Sequence, residues 1–141
     1  MAQPWLSVVI PTYNEAANIG SLLAALRQAV GTIPTEFVVV DDASKDGTPE
    51  AARAADPTAR VIVRQGEKGL ATAVVRGLRE ATGTYVAVMD ADFQHPPEAV
   101  VRMLEKAMDD DCDLVIGSRY APGGSVGGFG PVRRLISWGA G

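Results

Sequence analysis

Five short apolar runs alternate with stretches of helical periodicity along this chain, and the alternation constrains the fold more than any other feature. The runs cover residues 6–10, 37–40, 61–63, 85–89 and 114–116. Between them, apolar residues recur every three or four positions, which is the spacing of an amphipathic helix. Strands rich in Val and Ile that alternate with helices form mostly parallel sheets with helices on both faces. We therefore predict a three-layer α/β fold with a mostly parallel central sheet.

The composition is that of one packed domain. Hydrophobic residues make up 47% and charged residues 21% of the 141 positions, close to the average for soluble globular domains. The 13 Lys and Arg against 17 Asp and Glu give a net charge of -4, which argues against a broad basic surface for nucleic acid. Cys112 is the single cysteine, so an intrachain disulfide and a cysteine-rich metal site are both excluded. We expect a reducing, cytoplasmic compartment.

Two aspartates follow the fourth apolar run. Asp90 and Asp92 are two positions apart, so in an extended segment their carboxylates point to the same side. Mg²⁺ and Mn²⁺ prefer oxygen ligands, and Mg²⁺ is usually bound by one or two carboxylates together with substrate phosphates. Gln94, two positions further on, can add an amide oxygen. The pattern predicts a divalent-metal site; the alternative is that Asp92 only caps the next helix.

Polar residues also follow the first two runs. Ligands of open α/β sheets bind outside the carboxyl ends of the strands, so we expect these residues to line a cleft. Tyr13 can stack on a base, and Asp41 can accept hydrogen bonds from a ribose or a base edge. Ser44 and Asp46 are candidates to cap the helix that begins near Thr48.

Basic residues stand where they can meet phosphates. Lys68 precedes a predicted helix and either contacts an anion or belongs to a solvated turn. Arg119 follows the fifth run, and Arg133 and Arg134 come after a glycine-rich segment. A guanidinium binds phosphate oxygens through two parallel hydrogen bonds, so these arginines can hold an anionic substrate or a leaving diphosphate. For Arg133 and Arg134 the alternative is a solvated helix face.

Five motifs together resemble the inverting family-two glycosyltransferases of the GT-A fold, and within them the dolichol-phosphate mannose synthase group. In chain order the motifs are VIPTYNE at 9–15, VDDASKDGT at 40–48, KGLATA at 68–73, DADFQHPPE at 90–98 and GSRY at 117–120. The similarity covers nearly the whole chain. It implies a Rossmann-like core that binds a nucleotide sugar.

The resemblance also implies an organisation of the chain. Residues 1–120 would form the nucleotide-sugar-binding core, 121–130 a glycine-rich loop on the acceptor side, and 131–141 the start of an amphipathic helix. Family members continue well past this point, so we expect the chain to be truncated at its C-terminus. The full-length protein would then meet a membrane surface.

The functional residues implied by the resemblance fall into four groups. They are Pro11, Tyr13, Glu15, Val39, Asp41, Asp90, Ala91, Asp92 and Arg119 for the nucleotide sugar; Asp90, Asp92 and Gln94 for Mg²⁺ or Mn²⁺; Asp92 and Arg119 for catalysis; and Arg133 and Arg134 for the acceptor phosphate.

The activity implied by the resemblance is an inverting, metal-dependent transfer of mannose from GDP-mannose to a polyprenyl phosphate. The acceptor oxygen is already anionic near neutral pH, so no strong general base is required. Such an enzyme would have the donor, the lipid acceptor and the membrane surface as partners, and no nucleic acid. We expect it at the cytoplasmic face of the membrane.

Other functions remain open at the level of sequence. A polyprenyl-phosphate glucosyltransferase that uses UDP-glucose, or another family-two transferase, would share most motifs; His95 favours the mannose type, since the glucosyl type more often has Asp at this position. A receiver-type signalling module also has five apolar runs and clustered aspartates, but needs its acidic pair after the first strand. A dinucleotide-binding domain needs Gly-x-Gly-x-x-Gly at that place, and this chain lacks it.

Overall fold

The structure, a computed structural model, describes residues 3–118. Strands and helices alternate within this range, as the periodicity predicts. The elements are β1 (Leu6–Thr12), α1 (Ala16–Val30), β2 (Thr35–Asp41), α2 (Thr48–Ala55), β3 (Arg60–Val63), α3 (Leu70–Glu80), β4 (Tyr85–Val88) and α4 (Glu98–Asp109). The first four predicted strands and the helices that follow them are confirmed.

The four strands form a parallel sheet in the order β3-β2-β1-β4. The chain runs outward from β1 through β2 to β3, and then crosses to the other side of β1 with β4. The carboxyl ends of β1 and β4 therefore meet where the strand order reverses, which is where open α/β sheets bind ligands. Receiver domains place β1 between β2 and β3 instead, so the described sheet excludes the receiver alternative.

Both faces of the sheet are covered, because β1 and most of β2 are buried on either side. On one face Val9 of β1 and Val38 of β2 form a cluster with Ala73 of α3. The side chain of Phe37 points to the opposite face, since successive strand residues alternate. There the guanidinium carbon of Arg27 in α1 lies 4.2 Å from the centroid of the Phe37 ring. The prediction of three layers is confirmed.

Arg27 also ties α1 to the segment after α2. Its Nη2 lies 2.6 Å from Oδ2 of Asp56 and donates a second hydrogen bond to the hydroxyl of Thr58. Burial raises the pKa of Asp56, but hydrogen bonds from Thr58 and Arg27 outweigh burial and hold it below the ordinary value. The charged pair therefore belongs to the folded state at neutral pH.

Glu36 joins the amino ends of several strands. Its Oε1 accepts hydrogen bonds from the Ser7 hydroxyl at 2.6 Å and from the backbone N–H of Thr82 at 2.6 Å, and its Oε2 lies 3.4 Å from Nη1 of Arg60. Burial raises the pKa of Glu36, yet the hydrogen bonds from Ser7, Thr82 and Arg60 together lower it below the ordinary value. One carboxylate thus connects β1, β2, β3 and the turn before β4.

The chain divides into two compact units, Met1–Arg102 and Met103–Gly141. In the described part of the second unit, residues 114–116 are not a strand, so the prediction of a fifth strand is wrong for this structure. Leu114 and Ile116 are 76% and 75% exposed. A short apolar run becomes a strand only where a neighbouring strand and a core cover it, because strand propensity is mostly a preference for such packing.

The predictions for the C-terminal part of the chain lie mostly outside the described residues. These are the glycine-rich loop at 121–130 and the helix at 131–141, whose boundaries stay predictions. Within residues 3–118, no helix has the length and apolar character needed to cross a bilayer.

We expect Gly77→Ala to lower the free energy of unfolding by about 1–3 kcal/mol, the usual cost of overpacking. A Cβ on Gly77 would overlap Cγ1 of Val9, so α3 would have to move away from β1. The control is Gly20→Ala in α1, where the new Cβ would lie 3.6 Å from that of Ala55, an ordinary contact. Urea unfolding measures both variants, and equal stabilities would contradict this packing.

We expect Glu36→Gln to lower stability at neutral pH by about 1–3 kcal/mol, because hydrogen bonds to a charged acceptor are lost. The folded-state pKa of Glu36 is lowered, so its contribution is fully present above the unfolded value and disappears as the pH falls through the folded value. Unfolding free energies measured from pH 7 down to pH 2 should therefore fall less steeply in the variant. Parallel curves for variant and wild type would refute this role.

Candidate functional site

An open cleft of about 540 Å³ lies at the carboxyl ends of β1, β2 and β4, beside the start of α3. The residues that line it are Pro11, Thr12, Tyr13, Glu15, Asp42, Lys68, Gly69, Leu70, Ala73, Asp90, Ala91 and Asp92. The cleft is at the reversal of strand order, the location expected for a ligand site in this class of fold.

Asp90, Ala91 and Asp92 directly follow the last ladder bond of β4, in which Met89 N–H donates to the carbonyl of Val9 at 3.0 Å. Ala91 is buried, whereas the two aspartates beside it are exposed and line the same cleft. Both aspartates therefore border one ligand space as predicted, although they do so through a turn at residues 91–92 and not through the extended segment that the prediction assumed.

Asp92 closes its own turn. Its Oδ1 accepts a hydrogen bond from the backbone N–H of Gln94 at 3.0 Å. The helix α4 begins only at Glu98. The alternative that Asp92 merely caps this helix is therefore wrong, and the turn instead holds the carboxylate at the cleft.

The donor set at the cleft fits a divalent cation that binds together with a phosphorylated ligand. Asp90 and Asp92 supply carboxylates, while Gln94 is not among the residues that line the cleft. Among residues 3–118, no three His, Cys, Asp or Glu side chains are grouped so that they could hold a metal by themselves. Mg²⁺ commonly binds to one or two carboxylates and completes its shell with water and substrate phosphates.

The loop after β1 is tied to the loop after β2, which places Tyr13 at the cleft. The backbone N–H of Asn14 donates to the Ser44 hydroxyl at 2.8 Å, and that of Glu15 donates to the Thr48 hydroxyl at 2.9 Å. The ring of Tyr13 is left 57% exposed beside the cleft. An exposed ring in this position can stack on a planar ligand group.

Asp46 fixes the start of α2. Its Oδ1 accepts hydrogen bonds from the backbone N–H of Thr48 at 3.1 Å and from its hydroxyl at 2.5 Å, while Oδ2 accepts from the backbone N–H of Ala16. The hydrogen bond from the Thr48 hydroxyl is the main cause that lowers the pKa of Asp46. The predicted side-chain cap does not form, because Gly47 stands at the N-cap of α2 with no capping bond from a side chain. Asp46 instead bonds Thr48 from the position before the cap, and Ser44 joins Asp41.

Asp41 and Val39 are not brought to the surface of the cleft. Both are fully buried. The oxygens of Asp41 accept hydrogen bonds from the Thr12 hydroxyl at 2.7 Å, from the Ser44 N–H at 2.8 Å and from the Ser44 hydroxyl at 2.7 Å. The next residue, Asp42, lines the cleft in its place. A one-residue step at a strand end reverses the side-chain direction, and the sequence motif does not distinguish these neighbours.

The charges around the cleft are unequal. Among the described residues that line it, Glu15, Asp90 and Asp92 stand beside one lysine, Lys68, whose Nζ lies 5.8 Å from the centroid of the Tyr13 ring, while Asp42 is paired with Arg64. The excess of carboxylates among these described residues disfavours an isolated phosphate anion. A phosphate that arrives with a divalent cation reverses the balance, because the cation is then the largest local charge.

Arg64 lies behind the cleft, and no sequence motif points to it. Its side chain is 3% exposed, and Nη2 lies 2.6 Å from Oδ1 of Asp42. The only signal in the sequence is a charged residue directly after the apolar run at 61–63, at a strand end where ligand sites form.

Three predicted site residues, Arg119, Arg133 and Arg134, lie outside the described residues and stay predictions. His95 is partly buried in the segment before α4 and is not among the residues that line the cleft. The structure thus places the residues after β1 and β4 in one cleft. Asp42 and the segment before α3 line the same cleft.

Comparison with known proteins identifies the family. Residues 7–140 match the family described as Glycosyl transferase family 2. The chain belongs to this family. The resemblance of the five motifs to family-two glycosyltransferases is therefore confirmed.

Among members of the family, the chain is similar to a dolichol-phosphate mannosyltransferase of Pyrococcus furiosus, with 46% identity over 96% of this chain and 39% of the relative. It is also similar to an undecaprenyl-phosphate mannosyltransferase of Micrococcus luteus, with 43% identity over 92% of this chain and 54% of the relative. The chain thus spans about half or less of the length of these two relatives.

Among solved structures, glucosyl-3-phosphoglycerate synthase of Mycobacterium tuberculosis superposes with a TM-score of 0.63 and 28% sequence identity. The match covers 73% of this chain and 39% of that protein, which was solved in complex with Mn²⁺, uridine diphosphate and glucosyl-3-phosphoglycerate. The GT-A fold expected from the motifs is confirmed.

Proposed function

We propose that the protein transfers mannose from GDP-mannose to a polyprenyl phosphate, with inversion at the sugar carbon and with Mg²⁺ or Mn²⁺ on the donor diphosphate. The observation that carries the proposal is that Asp90 and Asp92 line one cleft at the reversal of strand order. The choice of sugar and acceptor is supported by relatives named as dolichol-phosphate and undecaprenyl-phosphate mannosyltransferases.

The donor would bind across the ends of β1 and β4. Asp90 and Asp92 would hold the metal, with Tyr13 beside the base and Lys68 beside the diphosphate. When bound, the metal neutralises charge on the leaving diphosphate. The chain's own residues would orient the diphosphate and the sugar, which accounts for much of the rate in transfers of this kind.

The acceptor step has a simple balance of bonds. A phosphate oxygen of the lipid forms a bond to the anomeric carbon of mannose, while the bond from that carbon to the diphosphate breaks and GDP leaves with the electron pair. The attacking oxygen is already anionic near neutral pH, so it has no proton to lose. The described cleft accordingly needs no histidine as a general base.

The lipid acceptor places the reaction at a membrane surface, and we propose the cytoplasmic face. Arg119, Arg133 and Arg134 are proposed to contact phosphates of donor or acceptor, on the basis of the motifs alone. Their guanidinium groups suit this task because they bind phosphate oxygens in pairs.

A second candidate is a transferase that uses a UDP sugar. It is favoured by the similarity to a glucosyl-3-phosphoglycerate synthase solved with uridine diphosphate and Mn²⁺. Both candidates share the cleft and the metal and differ in the base and the sugar.

We expect Asp92→Asn to reduce transfer in the full-length gene product by about a hundredfold or more, the scale of losing a main electrostatic contact to the reacting groups. Asn retains an oxygen for the hydrogen bond from Gln94, so the turn should survive while the charge is lost. The assay uses labelled GDP-mannose, a polyprenyl phosphate and Mg²⁺ or Mn²⁺.

Two controls accompany this variant. Asp110→Asn removes an exposed aspartate that pairs with Lys106 and should leave transfer unchanged. Circular dichroism checks that the Asp92 variant is folded, and electron paramagnetic resonance measures its binding of Mn²⁺. A folded Asp92→Asn variant with activity within a few-fold of wild type would refute the metal role.

We expect GDP with Mg²⁺ to raise the melting temperature of the protein more than UDP with Mg²⁺, since a ligand that binds only the folded state stabilises it by mass action. EDTA should abolish the shift. The measurement is a thermal-shift series with both diphosphates and both sugar nucleotides. Stabilisation by UDP and not by GDP would reverse the choice between the two candidates.

A further inference from the structure

A buried arginine lies directly behind the cleft. Arg64 follows the last residue of β3, and its side chain is 3% exposed. A buried guanidinium is costly unless its donors are paired, because the charge has left water. The hydrogen-bond partners of Arg64 therefore identify the segments that it holds together.

The donors of Arg64 connect two segments of the cleft wall. Nε and Nη2 lie 2.7 and 2.6 Å from Oδ1 of Asp42, which follows β2. Nη1 donates to the hydroxyl of Thr72 in α3 at 2.9 Å, and Nη2 donates to the carbonyl of Gly69 at 3.1 Å. One planar group thus bridges the end of β2 and the start of α3.

Gly69 is held at both of its backbone groups. Its carbonyl accepts from Arg64, and its N–H donates to Oδ2 of Asp42 at 2.9 Å. Its φ of +121° is a conformation that residues with a side chain rarely adopt. This unusual backbone is therefore fixed by the Arg64–Asp42 pair.

The fixed segment carries side chains of the cleft. Lys68 and Leu70, on either side of Gly69, both line it, whereas Arg64 is not among the lining residues. The segment that carries Lys68, whose Nζ lies 5.8 Å from the centroid of the Tyr13 ring, is thus bonded to a residue that does not itself line the cleft.

We propose that Arg64 is a positioning residue for the donor: through Asp42, Gly69 and Thr72 it holds Lys68 where an anionic diphosphate binds. The inference rests on the proposed function. Loosening the segment around Gly69 weakens binding of the donor in the ground state and in the transition state alike, because Lys68 binds the diphosphate in both. The expected signature is therefore a higher KM for the donor with little change in kcat.

The main test is Arg64→Lys in the full-length gene product. Lysine keeps the charge opposite Asp42 but lacks the planar fork that reaches Gly69 and Thr72 as well. We expect the KM for GDP-mannose to rise about tenfold, the scale of a modest misplacement of a binding group, with kcat within about threefold. The dissociation constant of GDP should rise in parallel.

Arg60→Met is the matched control. Arg60 begins the same strand and pairs with Glu36 and Glu80 at the opposite end of the sheet. Its loss should lower the melting temperature without raising the KM. A purely structural role for Arg64 would give the same pattern as this control and would overturn the proposal.

A milder pair of variants serves if the Arg64 variant does not fold. Thr72 is exposed, so Thr72→Val removes one partner of Arg64 while leaving the ion pair with Asp42 intact. We expect a smaller rise in KM, about threefold. Thr72→Ser keeps the hydroxyl, so its KM should be close to that of wild type. Equal KM values for Thr72→Val and Thr72→Ser would overturn the proposal.

Hydrogen exchange separates failure of this inference from failure of the proposed function. Backbone amides of residues 66–70 should exchange faster in Arg64→Lys than in wild type or Arg60→Met. If wild type transfers no sugar from any donor, the proposed function fails, while exchange and nucleoside-diphosphate affinity still test the positioning role. Unchanged exchange together with unchanged affinity would overturn it.

Discussion

The structure depends on one constraint, that β1 is a parallel strand buried along its whole length between β2 and β4. A strand in this position cannot present polar side chains to solvent along its length, so polar groups concentrate where it ends. Because the chain leaves β1 toward β2 and later returns on the other side with β4, the strand order reverses at β1. The cleft lies at that reversal, beyond the carboxyl ends of the strands.

Buried or partly buried acidic groups form hydrogen bonds at both ends of the sheet. At the carboxyl end Asp41 accepts three hydrogen bonds from Thr12 and Ser44, and Asp42 holds Gly69 and Arg64. At the amino end Glu36 gathers donors from three segments. At the carboxyl end these carboxylates pair donors from the loops around the cleft, which gives those loops defined positions.

The electrostatics of the cleft are consistent with a cation-assisted ligand. Among the described lining residues, Glu15, Asp90 and Asp92 outnumber Lys68, while the charge of Asp42 is compensated by Arg64. The pair of aspartates after β4 is therefore the negative centre of the site. The proposed binding of a diphosphate together with a divalent cation would balance this negative charge, because a bound cation is the largest local charge.

The sequence by itself determined the α/β class, four strands, four helices and the aspartate pair after β4. These features depend on local periodicity and on side-chain alternation, which the chain carries without its tertiary contacts.

Only the tertiary structure decided the rest. Residues 114–116 are apolar but are not a strand, because strand formation depends on a neighbouring strand. Asp42 rather than Asp41 faces the cleft, since the direction of each side chain is set by hydrogen bonds from Thr12, Ser44 and Gly69. The partners of Arg64 are Asp42, directly after β2, and Gly69 and Thr72 at the start of α3. Asp42 is distant from the other two in sequence, and packing of the elements decides that they meet.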